Sequence, residues 1–268
     1  MKILIIGAGN MGLTYTKSFL SAHIIRPSDI YLFNRTKAKL EQAQKEFFVQ
    51  NIFTDAEDYI SLADIIIIAV KPQDSTALYP LIKKYLTPNQ LVLSVMAGVK
   101  LATISEALGI KKILRAMPNL PSQIGLGMTA FTASEEVSKQ ELLTIQNLLS
   151  TTGRVVYFEE ESRIDATTAV SGSGPAYVFF LMNVMMKAAK EIGFSDSEAE
   201  LLVWQTFNGA VQLQNKSNLS CNEWIEKVSS KGGTTEAAFK VFHQTAIEQH
   251  LTEGIKAAFS RAVELSGS

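Results

Sequence analysis

The stretch KILIIGAGNMG, residues 2–12, sends an apolar run, Ile3 to Ile6, straight into Gly7-Ala8-Gly9-Asn10-Met11-Gly12. Such a run, with no polar alternation, describes a strand buried on both faces. The glycines have G-x-G-x-x-G spacing and stand between that strand and a helical pattern, Met11 to Ala22, where each has a separate physical task. Gly7 permits the tight turn, Gly9 lets a pyrophosphate approach the backbone, and Gly12 lets the helix pack close. The N–H groups of the helix start then face the anion. Gly7, Ala8, Gly9, Asn10, Met11 and Gly12 are therefore the first candidate cofactor-binding residues.

The next strand, Ile30 to Phe33, ends in Asn34-Arg35-Thr36. A carboxylate at that point would bind the ribose 2′-hydroxyl of NAD, whereas a cation with an amide and a hydroxyl suits a 2′-phosphate. NADP(H) is the preferred cofactor on this reading, with NAD(H) the second candidate. Helical Lys37 to Phe48 follows, and Thr54-x-x-Glu57 has capping-box spacing that announces another helix. Ala63 to Val70 (ADIIIIAV), Leu91 to Val95 and Ile113 to Ala116 repeat the buried-strand pattern. Strands and helices alternating in this way imply a doubly wound parallel sheet. Ligands bind such sheets at the carboxyl ends of the strands, which nominates Ala69, Val70, Lys71 and Pro72, and Ala97 and Gly98 followed by Val99.

After about residue 163 the pattern becomes helical throughout, dividing the 268 residues into an α/β part, 1–163, and an all-α part, 164–268. Gly174 to Ile192, helices opened by Ser195-x-x-Glu198 and Ser220-x-x-Glu223, Thr235 to Gln249, and Gly254 to Leu265 make up the second part. Phe179, Phe180, Met182, Val184, Met185 and Met186 nearly surround the first of these helices. A helix apolar on all sides needs burial on all sides. Two solutions exist: packing against a second copy of the domain, which is preferred, or a methionine-rich helix at the centre of its own domain.

Composition narrows the partners. Hydrophobic residues make up 47%, charged residues 19%, and the net charge is −1, which gives no electrostatic footprint for nucleic acid or an anionic membrane surface. A small-molecule partner is expected. The single cysteine, Cys221, has no internal disulfide partner, and no Cys/His spacing suggests a metal. The apolar start stops at Gly7, too soon for the core of a secretion signal, and Ala176 to Met186 is bounded by Lys187 and interrupted by Asn183, short of a membrane span. The expected location is the cytoplasm.

The usual acid–base constellations are missing, and His23, His243 and His250 stand in ordinary helical or loop settings. Hydride transfer to an already activated cation needs less acid–base machinery and depends chiefly on positioning. Two hydroxyl-rich segments remain: Thr167 to Tyr177, which contains Ser171-Gly172-Ser173-Gly174-Pro175, and Ser229 to Ala238, which contains Ser230-Lys231-Gly232-Gly233-Thr234-Thr235. Glycines at a helix start offer backbone N–H groups to an anion. With the pyrophosphate already placed, that anion is read as a substrate carboxylate.

Together IGAGNMG (6–12), NRT (34–36), AVKPQ (69–73), AGV (97–99), RAMPN (115–119), AVSGSGPAY (169–177) and SSKGGTTEA (229–237) resemble the pyrroline-5-carboxylate reductase family along almost the whole chain. The resemblance implies a Rossmann domain followed by an all-α dimerisation domain, interleaved in a homodimer or an assembly of dimers. It implies reduction of the cyclic imine Δ1-pyrroline-5-carboxylate to L-proline by NAD(P)H, the last step of proline biosynthesis. Ser230 to Thr235 would then hold the substrate carboxylate, Thr235 would hydrogen-bond near the ring nitrogen, Glu161 would lie close to the substrate, and Ser171 to Pro175 would flank the nicotinamide and the ring. Two positions depart from the family: Lys231 stands where proline is common, and Ala56 where an asparagine often contacts the cofactor ribose. Two competing readings are a β-hydroxyacid dehydrogenase and a non-catalytic relative of the reductase. The first would put a lysine early in the long helix, but the first one here is Lys187; the second would be expected to lose the substrate loops.

Overall fold

An uninterrupted isoleucine run is stable only where both faces are covered, and the computed structural model, which describes residues 1–267, supplies that cover. Its strands are β1 (Ile3–Ile6), β2 (Ile30–Phe33), β3 (Asn51–Phe53), β4 (Ile65–Ile68), β5 (Leu91–Ser94), β6 (Ile113–Met117), β7 (Gly127–Ala133) and β8 (Gly153–Tyr157). They form one sheet in the order β3-β2-β1-β4-β5-β6-β7-β8, parallel at every pairing except the antiparallel β6–β7. The doubly wound expectation is met. The strand order winds outward in opposite directions from the β1–β4 pair, which leaves there the crevice where an α/β sheet binds its ligand.

The helices of this part are α1 (Asn10–Ser21), α2 (Lys37–Phe47), α3 (Pro72–Lys83), α4 (Leu101–Leu108), α5 (Lys139–Ser150) and α6 (Ser162–Thr167). Successive strand side chains point to opposite faces, so each strand feeds two cores. Ile3, Ile5, Ile65 and Ile67 join Tyr15 and Phe19 of α1 on one face. Leu4, Ile6, Ile66 and Ile68 join Tyr59, Ile60 and Ile82 on the other. Each such side chain contributes about 1.5–3 kcal/mol through burial.

Thr54-x-x-Glu57 does not cap an α-helix. Glu57 precedes only a 3₁₀ turn, Asp58–Leu62, and the Thr54 hydroxyl donates to Asp55 instead. The aromatic stack of Phe53 on Tyr59, ring centroids 3.7 Å apart, fixes this segment in place of a longer helix.

By compactness the chain separates into two units, Met1–Ser173 with Ala258–Ser268, and Gly174–Ala257. The second unit contains α7 (Gly174–Glu191), α8 (Asp196–Asn215), α9 (Cys221–Val228), α10 (Thr234–Gln244) and the start of α11 (Ile247–Gly267). The capping boxes expected at Ser195/Glu198 and Ser220/Glu223 are both formed. The helix expected over Thr235–Gln249 instead stops at Gln244, where Ala246 takes a left-handed φ of 51°, and the helix expected from Gly254 begins at Ile247. The end of α11, from Ala258, falls in the unit that contains the sheet, so the unit boundaries differ from a single cut at residue 163.

No residue of α7 is buried, and Phe179 and Phe180 are each 58% exposed. α7 is therefore not the centre of its own domain. With the turns before it, it makes a continuous helical run, Ser162–Glu191, which by length and composition alone is long and apolar enough to cross a membrane. The sequence pattern marks only its later part, Gly174 to Ile192.

Candidate active site

The glycine turn is built as its spacing requires. Gly7 has φ +110°, and a Cβ there would come 2.6 Å from the Ala69 carbonyl oxygen. A Cβ on Gly12 would lie 1.9 Å from the Gly7 carbonyl oxygen, so only glycine lets α1 start this close to the strand. At Gly9 nothing lies within 4 Å of the same point, which leaves the approach to the backbone open. No acidic residue occupies the first turn of α1, and no side chain caps its N–H groups. An open backbone, unclaimed helix-start N–H groups and no competing carboxylate fit a dinucleotide pyrophosphate.

The neighbouring strand ends converge on this turn. The Gly7 N–H donates to the Phe33 carbonyl (2.8 Å) and the Ala69 N–H to the Ile6 carbonyl (2.8 Å). Asn34 acts as a strap: its side-chain oxygen accepts from the Ala8 N–H (3.1 Å), and its amide donates to the Thr36 carbonyl (3.0 Å). That leaves exposed Arg35 and Thr36 as the polar groups free to meet a 2′-phosphate, with Asn34 shaping the loop. Val70 is half-buried, Lys71 and Pro72 are exposed at the start of α3, and Ala97 and Gly98 follow β5 on the same edge of the sheet. Ala56, where the family often has asparagine, packs against the aromatic core beside Phe53 and Tyr59.

The serine-glycine segment starts with a π-helical turn, Thr168–Gly172, in which the Ser173 N–H donates to the Thr168 carbonyl (2.9 Å). Such turns displace backbone groups from the regular helical ladder and recur at functional sites. Asn119 holds the turn, its amide donating to the Ser171 carbonyl (3.3 Å) and hydroxyl (3.2 Å) while its oxygen accepts from the Met128 N–H (2.9 Å). A Cβ on Gly172 would come 2.5 Å from the end of the flexible Met117 side chain, which could shift to admit it. Ser173 closes the turn, and Gly174 and Pro175 open α7.

Glu161 is engaged rather than free. One carboxylate oxygen accepts from the Leu101 N–H (2.8 Å) and from Nη1 of Arg115 (3.1 Å). Arg115, only 1% exposed, also donates through Nη2 to Asp165 (2.6 Å) and Ser266 (3.3 Å). Arg115 and Asn119 are thus site-supporting residues to which the sequence reading gave no role, although both stand in the RAMPN run.

In the second unit Ser230 and Lys231 lie exposed in a turn, Gly232 has φ +72°, and Gly233 is the N-cap of α10. The Glu236 carboxylate accepts from the Gly232 N–H. Thr234 and Thr235 occupy the first turn of α10, whose N–H groups no intrahelical carbonyl can reach. Of the histidines, His23 bonds a local carbonyl, His243 lies beside the Phe239 ring and His250 pairs with Glu253. Among the described residues no group of three metal-ligating side chains forms.

A nucleotide-binding edge on a doubly wound sheet, followed by an all-helical region with an exposed apolar helix, defines an oxidoreductase with a helical dimerisation domain. The pyrroline-5-carboxylate reductase dimerisation family model matches residues 161–265, and the coenzyme F420-dependent NADP oxidoreductase model matches residues 2–98. The chain is 33% identical to pyrroline-5-carboxylate reductase 2 of Bacillus subtilis, over 98% of this chain and 95% of that one. It is 34% identical to the pyrroline-5-carboxylate reductase of Pseudomonas aeruginosa, over 99% and 97%. The solved structure of the Coxiella burnetii pyrroline-5-carboxylate reductase superposes with a TM-score of 0.90 at 33% identity, covering 99% of this chain and 98% of that one. The chain belongs to the pyrroline-5-carboxylate reductase family.

Proposed function

We propose that this protein reduces Δ1-pyrroline-5-carboxylate to L-proline, as a homodimer, with NADPH preferred over NADH. The observation that carries the reading is that one chain holds both an open dinucleotide turn at Gly7–Gly12 and a second glycine-and-hydroxyl helix start at Ser230–Thr235. Full-length similarity to curated reductases supports the same activity. It also disfavours the non-catalytic and β-hydroxyacid dehydrogenase alternatives.

Reduced nicotinamide supplies the hydride, and a proton on the imine nitrogen completes the amine. Everything else falls to the protein. The first-turn N–H groups of α10 and the hydroxyls of Ser230, Thr234 and Thr235 orient the substrate carboxylate, with Lys231 adding a nearby cation. The Thr235 hydroxyl fixes the ring nitrogen. Ser171, Gly172, Ser173, Gly174 and Pro175 shape the wall beside the ring, and Glu161 sets the edge of that wall through its bond to Leu101. A cyclic imine protonated in solution is already a strong hydride acceptor, so positioning does most of the work. Arg35 and Thr36 favour the 2′-phosphate because no carboxylate stands at the end of β2. In this division of labour residues 1–163 chiefly serve the nucleotide and residues 164–268 chiefly the substrate and the dimer, with Glu161 and Ser171–Pro175 contributing across that line.

The test is a purified-protein assay with NADPH and pyrroline-5-carboxylate, following loss of reduced nicotinamide and formation of proline. The expected result is stoichiometric proline, with turnover falling about 100-fold in Thr235→Ala. Tight NADPH binding without any proline would overturn the enzyme reading.

A further inference from the structure

The Arg115 cluster does more than fill the core. Its guanidinium meets three partners on two separate segments: Glu161 at the N-cap of α6 and Asp165 within α6, and Ser266 near the end of α11. The Ser266 hydroxyl in turn donates to the same Asp165 oxygen (2.6 Å). Burying a cation among carboxylates is a poor route to stability, since well-packed apolar side chains often do as well. What the cluster provides is fixed geometry.

That geometry converges on the loop between β5 and α4. Glu161 accepts from the N–H of Leu101, the first residue of α4, and so anchors the far end of the Ala97–Val99 loop. Gly98, at φ +73°, lies against α11, where an added Cβ would come 2.9 Å from the Leu265 Cβ. Leu265 is the immediate neighbour of Ser266. One arginine therefore holds both braces of the loop, the Glu161 tether and the Leu265 wall.

We propose that Arg115 is a positioning residue for the cofactor, acting through Glu161 and through the Leu265–Ser266 turn of α11 to hold the Ala97–Val99 loop at the nicotinamide edge of the sheet. The inference rests on the assignment of Ala97 and Gly98 to the cofactor crevice. Its consequence is that the last turn of α11 sets NADPH affinity, although it is distant in sequence from the glycine turn.

The experiment compares Leu265→Ala, Leu265→Met and Ser266→Ala with the parent protein, first by NADPH fluorescence titration without substrate and then by steady-state kinetics. Leu265→Ala is expected to weaken NADPH binding and raise its KM about fivefold, leaving the KM for pyrroline-5-carboxylate within about twofold. Leu265→Met, which conserves volume, should restore binding, and Ser266→Ala should shift NADPH affinity in the same direction as Leu265→Ala. Unchanged NADPH affinity in folded Leu265→Ala and Ser266→Ala, or an equal rise in both KM values, overturns the proposal. If Leu265→Ala does not fold, Ser266→Ala, which removes a single oxygen atom, decides alone. The titration needs no turnover, so it reads this inference separately from the reductase assay.

Discussion

Arg35 and Gly12 carry opposite kinds of specificity. Gly12 is excluded from change by a contact, because the Gly7 carbonyl would be 1.9 Å from any Cβ placed there. Arg35 is exposed on the loop after β2, and the proposed function gives it a role only toward the ligand. Arg35→Ala should raise the KM for NADPH about tenfold and leave that for NADH nearly unchanged, because only the 2′-phosphate loses a partner. Steady-state kinetics with both cofactors checks it. Lys231, exposed in the turn before α10, faces full solvent screening, so its pull on a carboxylate is weak beside that of the directed N–H groups.

Helix α5 shows how one residue can join two elements. Ser138 and Glu141 form a reciprocal capping box, and the Glu141 carboxylate also accepts from the Lys112 ammonium (2.7 Å) just before β6. Burial pushes the Glu141 carboxyl up, but the bonds from Lys112 and from the Ser138 N–H and hydroxyl outweigh it and leave it below its ordinary value. A depressed carboxyl stabilises the fold above its unfolded pKa of about 4.3, and that stability is lost as pH falls through the lower folded value. Glu141→Ala should therefore cost about 1–2 kcal/mol at neutral pH. The gap between variant and parent should narrow below about pH 4, measured as urea midpoints across pH. Sequence pattern alone found β1 and β4 because an unbroken isoleucine run has few other uses. It missed β3, which is three residues long, the mixed β7, which turns antiparallel on β6, and β8 at the sheet's edge. The break at Ala246 was hidden because neither glycine nor proline marks it. The glycine turn was legible because its parts are neighbours in the chain, whereas Arg115 finds its partners 46, 50 and 151 residues away. No local pattern reports such a meeting.

At the scale of the molecule the exposed apolar face of the second unit is the dominant surface feature. Phe179, Phe180, Trp204, Leu201 and Val211 lie open on α7 and α8. Large exposed apolar side chains in such number mark a surface suited to protein contact, and the dimerisation family model covers these helices. Phe180→Glu should shift the protein from dimer to monomer at micromolar concentration in sedimentation velocity, with loss of activity where each active site depends on the assembled pair. The dimerisation family model also covers the apolar run Ser162–Glu191, which suits protein contact. A different consequence follows from the compact units, in which residues from Ala258 onward belong with Met1–Ser173. Synthesis runs from the amino end, and a domain made of one continuous segment can fold while the rest is still being translated. Here the nucleotide unit is not one continuous segment: its sheet is translated first, and the stretch from Ala258 that completes the unit follows only after the intervening helical unit has been made.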